Sequence, residues 1–122
     1  MDIQNIKDIA EFSRWDDETK AQVKAVWPLL EEHFPDILTR FYKHIEKTPR
    51  LAPLIAGKTD NLRKTQTNHW KMIFKGDLDN EYFESIDRIG KVHVKIGLPP
   101  DWHIGGYNFV MSEVTQLLAK KH

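Results

Sequence analysis

The chain has no cysteine. That absence removes disulfides, thiolate nucleophiles, iron–sulfur clusters and thiolate zinc sites together, and leaves His and carboxylate as the available strong metal ligands. No stretch approaches the roughly eighteen uninterrupted apolar residues of a membrane span. Met1-Asp2-Ile3-Gln4 lacks the basic start and apolar core of a secretion signal, so a cytoplasmic protein with no membrane partner is expected. An excess of either charge is also missing: Lys plus Arg and Asp plus Glu both number 18, and no global field draws the chain to nucleic acid. Repeats, low-complexity segments and Ser/Gly linkers do not occur, and 122 residues suit one domain. Catalytic signatures are missing too. There is no Gly-rich phosphate loop, no nucleophile elbow and no His-Glu-x-x-His motif, while the pairs Glu31-Glu32 and Asp16-Asp17 fall where solvated faces or helix caps belong. A binding module is expected rather than an enzyme.

What the chain does contain is helical periodicity. Apolar residues recur three and four apart, alternating strand patterns are missing, and Gly and Pro punctuate the periodic segments, so the fold class is all-α. Residues 2–15 form a short N-terminal helix. Asp16-Asp17 caps a helix through Ala21, Val23, Val26, Leu29 and Leu30, with Pro28 expected to kink it. Pro35 suits the first turn of a helix whose stripe is Ile37, Leu38, Phe41, Tyr42 and Ile45, ending before Pro49. One short turn fits between Pro49 and Ile55. Asp60 caps the next helix, with an inner face of Leu62, Thr65, His69, Met72 and Ile73 and a stop at Gly76. Asp79 opens another, faced by Phe83, Ile86, Ile89, His93 and Ile96 and ended by Gly97. Pro99-Pro100-Asp101 starts the last, burying Trp102, Phe109, Val110, Val114, Leu117 and Leu118, with Lys120-Lys121-His122 complementing its dipole.

His93 interrupts an apolar row, and a buried imidazole must find a hydrogen-bond partner or a metal. Taken alone, a core histidine bonded to a backbone carbonyl accounts for it. Tyr42 and Thr65, however, stand on the inner stripes of two other helices, and their hydroxyls also need partners. An apolar cavity with one neutral nitrogen on one side and a hydroxyl donor on the other matches what a haem with an oxygen ligand requires. The nitrogen would hold iron, and the hydroxyl would stabilise the partial negative charge on the gas. Ordinary core packing remains the competing account of all three residues.

The run from Asp87 to Tyr107, DRIGKVHVKIGLPPDWHIGGY, resembles the F-to-G helix signature of globin-coupled sensors, the nearest likeness being to haem-based aerotaxis transducers. Thr39-Arg40-Phe41-Tyr42-Lys43-His44-Ile45 resembles the B-helix segment of that family with its distal tyrosine, and Leu62-Arg63-Lys64-Thr65 through Phe74 resembles its E helix. The likeness runs from about Asp16 to about Leu118. It implies a globin-like fold in which an extra N-terminal helix precedes helices A, B, C, E, F and G. By position it implies His93 as proximal ligand of haem iron, Tyr42 as the hydroxyl bonded to oxygen, and Thr65 as a second distal hydroxyl. Leu62 would be a distal apolar lid, and Phe41, Ile96 and Trp102 would be apolar neighbours of the porphyrin. The cofactor is expected to be haem b, held without a covalent link because a thioether needs Cys. His44 and His69 are the other ligands to test, and Lys58, Arg63 and Lys95 are the basic side chains that could meet the propionates.

Two departures from the family pattern stand out. His103 replaces a tyrosine that usually touches the backbone near the proximal histidine, which puts that relay in doubt. The sequence also ends at His122, where sensor globins add an H helix, so an H helix is expected to be missing. The resulting bare surface of the last helix predicts a homodimer through it, with exchange of helices between copies as one form. The leading function is thus an oxygen sensor domain, also open to carbon monoxide and nitric oxide, that signals through helix and dimer rearrangement. One alternative is a haem-free globin-like interaction domain of a stress-signalling scaffold; another is redox chemistry at haem, such as nitric oxide dioxygenation.

Overall fold

The computed structural model describes residues 3–121, and they form seven helices with no strand among them. These are α1 (Ile3–Phe12), α2 (Asp17–Glu31), α3 (Phe34–Glu46), α4 (Ala52–Ile55), α5 (Thr59–Lys75), α6 (Asn80–Ile96) and α7 (Pro100–Lys121). Met1, Asp2 and His122 lie outside the described residues, and with them one end of the expected 2–15 helix and the last residue of the expected basic terminus. None of the helices is long and apolar enough to cross a membrane.

Local chemistry explains most boundaries. The Asp16 carboxylate accepts from the Thr19 amide at 2.8 Å and opens α2; Asp79 does the same for α6 through the Tyr82 amide at 2.9 Å. Gly76 (φ 83°) and Gly97 (φ 80°) close α5 and α6 in the left-handed conformation that a side chain resists. Pro28 lies inside α2 without ending it. One cap differs from expectation: α5 starts two residues early, at Thr59, so Lys58 holds the cap position and Asp60 sits in the first turn, where its charge meets the helix dipole.

The core forms where α3 crosses α2, α5 and α7. Leu30, Phe34, Ile37, Leu38 and Val110 are fully buried, and Trp27, Trp70 and Phe74 close round them. Trp27 stacks on Phe74 with centroids 5.9 Å apart and tilts against Phe34 at 5.5 Å, so aromatic rings join α2, α3 and α5. Within α2 the buried pair is Trp27 and Leu30, while the expected Leu29 is exposed: a row through Val23, Trp27 and Leu30 keeps helical spacing and turns Leu29 outward. On α3 the expected stripe holds, with Ile37, Leu38, Phe41 and Tyr42 all buried.

Three inner faces are rotated from expectation. On α5 the buried residues are His69, Trp70 and Phe74, whereas Thr65 is exposed, because the large rings at 70 and 74 claim the space against α2 and α3. On α6 Ser85 is buried, Ile89 and His93 are half-buried, and Ile86 and Ile96 are exposed, since α6 packs on α5 along a narrow line. On α7 Val110 and Val114 are buried, with Tyr107 and Leu117 packed beside them; Trp102, a full turn away from that stripe, is exposed. The Arg40 guanidinium straps α3 to α7, donating to a Glu113 carboxylate oxygen at 2.8 and 2.9 Å. The Trp15 indole ties the start of the chain to the end of α5 by donating to the Gly76 carbonyl at 2.6 Å.

Leu30 is wholly buried at the α2–α3 junction, so Leu30→Ala should destabilise the fold by about 2–5 kcal/mol. Urea unfolding followed by helical circular dichroism measures it.

Candidate functional site

Buried polar groups gather where α5, α6 and α7 meet. His69, on α5, is 6% exposed, and one of its ring nitrogens, Nε2, is hydrogen-bonded to the Tyr107 hydroxyl of α7. Its other nitrogen, Nδ1, is buried with no hydrogen-bond partner; the same holds for His93 Nδ1 on α6 and His103 Nε2 on α7. The His93 and His103 rings lie edge to face with centroids 4.1 Å apart, and His103 in turn leans on Tyr107 at 5.2 Å. Tyr107 also covers Trp70, at 5.2 Å. Three imidazoles and a phenol thus form one cluster, walled on the α5 side by an indole.

This cluster does not hold charge readily. Burial pushes the His69 imidazole down to about 4, and the neighbouring His103 and His93 rings add to the effect. Burial also lowers His93, reinforced by His103, and it lowers His103. Tyr107 is pushed up to about 12 by burial, with Tyr82 adding to it, and burial raises Tyr82 itself. At neutral pH the cluster is therefore a set of neutral imidazoles and protonated phenols, the forms in which nitrogen offers a lone pair and hydroxyl offers a proton.

A second group lies on α3. Tyr42 is 5% exposed and its hydroxyl is pushed up to about 12 by burial, with the Arg63 cation pulling weakly the other way, so it remains an O–H donor. Phe41 packs edge-on against Tyr42 at 5.1 Å and reaches α7, where it tilts on Phe109 at 5.7 Å. A Cβ at Gly106 would stand 3.7 Å from the Phe41 ring, so glycine there allows the close approach of ring and helix. Gly106 adjoins Tyr107, and through this step the α3 group meets the imidazole cluster.

The expected residues are thus partly brought together. Tyr42 and Phe41 are adjacent and buried, Leu62 packs against the core, and His93 joins the cluster. Ile96 and Trp102 are each 37% exposed. Thr65, expected to face inward, is exposed, and its hydroxyl donates to the Asn61 carbonyl one turn back at 3.0 Å. Of the basic candidates, Arg63 donates to the Pro35 carbonyl at 2.9 Å, while Lys58 and Lys95 are exposed. His44 is exposed and stacks on Phe109. The His93 carbonyl accepts from the Leu98 amide at 2.9 Å, and His103 meets the His93 ring instead of its backbone. Sequence reasoning gave Tyr107 no role. Its position four residues after His103, on the row that continues to Val110 and Val114, is the signal that could have found it.

Among the described residues, no group of three or more His, Asp or Glu side chains is arranged to hold a bare metal ion. Single neutral imidazoles with an unpartnered nitrogen, set among aromatic rings, suit instead an iron whose in-plane ligands belong to a macrocycle. The residues present therefore fit a haem.

Comparison with known proteins agrees with that chemistry. The family model described as Protoglobin matches residues 2–122. A heme-based aerotactic transducer, HemAT, from Halobacterium salinarum is 34% identical over 111 residues. That match covers 88% of this chain and 23% of the transducer, so the chain spans about a quarter of that relative's length.

The depressed His69 value gives a pH dependence in the ligand-free chain. An unfolded imidazole binds its proton near pH 6.5 and the folded one only near 4, so the contribution of neutral His69 is complete above pH 6.5 and is lost as pH falls toward 4. His93 and His103 are lowered as well and act in the same direction. The urea midpoint should fall across this window, and His69→Leu should flatten the fall; a slope unchanged by that substitution would show that His69 does not drive it.

Proposed function

Since the chain belongs to the protoglobin family, we propose that it is a haem-binding sensor domain for oxygen, open also to carbon monoxide and nitric oxide, and that it works by binding rather than by catalysis. The observation that carries this reading is the neutral, half-buried His93 imidazole with an unpartnered ring nitrogen, inside a cluster that excludes charge. Bound haem b would supply an iron centre able to take up a diatomic gas reversibly.

The protein side of the chemistry follows from the residues. His93 would hold the iron by a lone pair that burial, which lowers its pKa, keeps free of a proton. Tyr42 offers a hydroxyl proton from a site where burial prevents ionisation, and a fixed donor of that kind favours a ligand that gains negative charge. Phe41 keeps water from the Tyr42 ring edge and supports it against α7. Leu62, packed against the core, would add apolar surface, and the exposed Ile96 and Trp102 would supply apolar area for a porphyrin to cover. Thr65 would add a second hydroxyl only after leaving the Asn61 carbonyl. The His103 ring lies against His93, so a movement of His93 on gas binding would pass to α7 and its surface.

That surface carries Ile104, 70% exposed, and Met111, 42% exposed, seven residues apart on one face. It is where two copies would pair as a homodimer, with or without exchange of helices. The cytoplasm is the compartment in which such a sensor would work.

Three results test the reading. His93→Ala should take up haem without the Soret band of the wild-type chain, and an unchanged spectrum would overturn the assignment. Tyr42→Phe should speed oxygen release by the equivalent of about 1.5–3 kcal/mol while moving carbon monoxide release far less, because a hydrogen bond to a charge-bearing ligand is at stake. Equal effects on the two gases, read by flash photolysis and stopped flow, would reduce Tyr42 to packing. Light scattering at micromolar concentration should give a dimer that Ile104→Glu with Met111→Glu converts to monomer; a monomeric wild-type chain would remove the pairing from the mechanism.

A further inference from the structure

We propose that His69 is a second axial ligand of the haem iron, bound opposite His93 while no gas is present and displaced when gas arrives. This rests on His93 as the proximal ligand. Four observations converge on His69. It is the most buried imidazole of the cluster, on a different helix from His93, and α5 and α6 pack directly against each other. One of its nitrogens is held by the Tyr107 hydroxyl and the other is buried without a partner. That is the pattern of a metal-ligating histidine, in which a second group fixes the ring and its tautomer and leaves one lone pair free. With the proton on Nε2 donated to the Tyr107 oxygen, the free lone pair is on Nδ1.

The ring is also neutral at any pH near 7, so no proton competes with a metal. Finally, the other donors near α5 are weaker. Thr65 is exposed and spends its hydroxyl on Asn61, and Tyr42 keeps its proton, so neither offers iron the affinity of an imidazole. The consequence is competition. A gas must displace His69 from the iron, and the Tyr107 hydrogen bond on Nε2, which does not use the Nδ1 lone pair, keeps the ring close enough to return.

The test uses the full 122-residue chain reconstituted with haem. The deoxygenated ferrous wild type should show the sharp, split visible bands of six-coordinate low-spin iron. His69→Leu should replace them with the broad band of five-coordinate high-spin iron and raise the carbon monoxide association rate about tenfold or more, since the competent fraction is no longer limited by the histidine. Tyr107→Phe keeps the imidazole but frees its ring, and should give a smaller rise with a partial high-spin shift. It also answers if helical circular dichroism shows that His69→Leu does not fold, because an unmoved spectrum and rate in Tyr107→Phe would then overturn the inference. A five-coordinate wild type, or low-spin bands that survive in folded His69→Leu, would overturn it while leaving His93 in place. A chain that takes up no haem would overturn both assignments.

Discussion

The cluster formed by His69, His93, His103 and Tyr107 is set by one constraint: polar rings have been moved into a space where charge is expensive. An imidazole in water near pH 7 exchanges its proton freely; here burial shifts His69 far enough that the proton is absent. Neutrality alone does not remove the penalty, because each buried ring nitrogen still loses its hydration. Tyr107 compensates one of them, on His69, and three others remain without a partner inside the protein. A core selected only for stability would fill this position with apolar rings, as α2, α3 and α5 do with Trp27, Phe34, Trp70 and Phe74 a few ångströms away. Two kinds of interior thus lie side by side, one that is saturated and one that retains free lone pairs.

Their separation follows from how the helices are held. α3 is gripped on several sides, by the rings of α2 and α5, by Val110 and Val114 of α7, and by the Arg40–Glu113 ion pair. Tyr42 and Phe41 lie on this firmly held helix, which would suit the donor role proposed for the Tyr42 hydroxyl. α6 is different. It packs mainly on α5, touches α7 through the His93–His103 rings, and leaves Ile86, Val92, Val94 and Ile96 exposed, with 80% of Val94 open to solvent. The nitrogen donor therefore sits on the least anchored of the long helices and the hydroxyl donor on the most anchored one.

The elements were legible in the sequence because their ends are marked by residues with one physical role each. Asp16 and Asp79 accept from amides three residues on, and Gly76 and Gly97 take a conformation that other residues resist. The inner stripe of α3 was legible for the same reason, since only one face of that helix is apolar. Faces with several apolar rows were not. On α5, Leu62, Thr65, His69 and Ile73 share one helical row, and Trp70 and Phe74 share another; both rows reach the interior, and the two large rings of the second turned Thr65 outward. On α7 the row through Val110 and Val114 turned Trp102 outward by the same rule. Within the site, His93 and Tyr42 could be named because each broke an otherwise apolar stripe. His69 and Tyr107 could not be paired, since their bond joins residues 38 apart and depends on how α5 crosses α7.

His103 stands where the sequence resemblance led to the expectation of a tyrosine reaching the backbone near His93. Here the His93 carbonyl is already taken by the Leu98 amide in the turn closed by Gly97, and a shorter imidazole lies against the His93 ring. Contact with the ring would respond to rotation of the imidazole as well as to displacement of the helix, whereas contact with the backbone would respond to displacement alone. α7 carries His103, Gly106 and Tyr107 within five residues, so the same short segment touches His93, Phe41 and His69. Events on either side of the site therefore converge on one turn of α7, and that turn continues directly into the face bearing Ile104 and Met111.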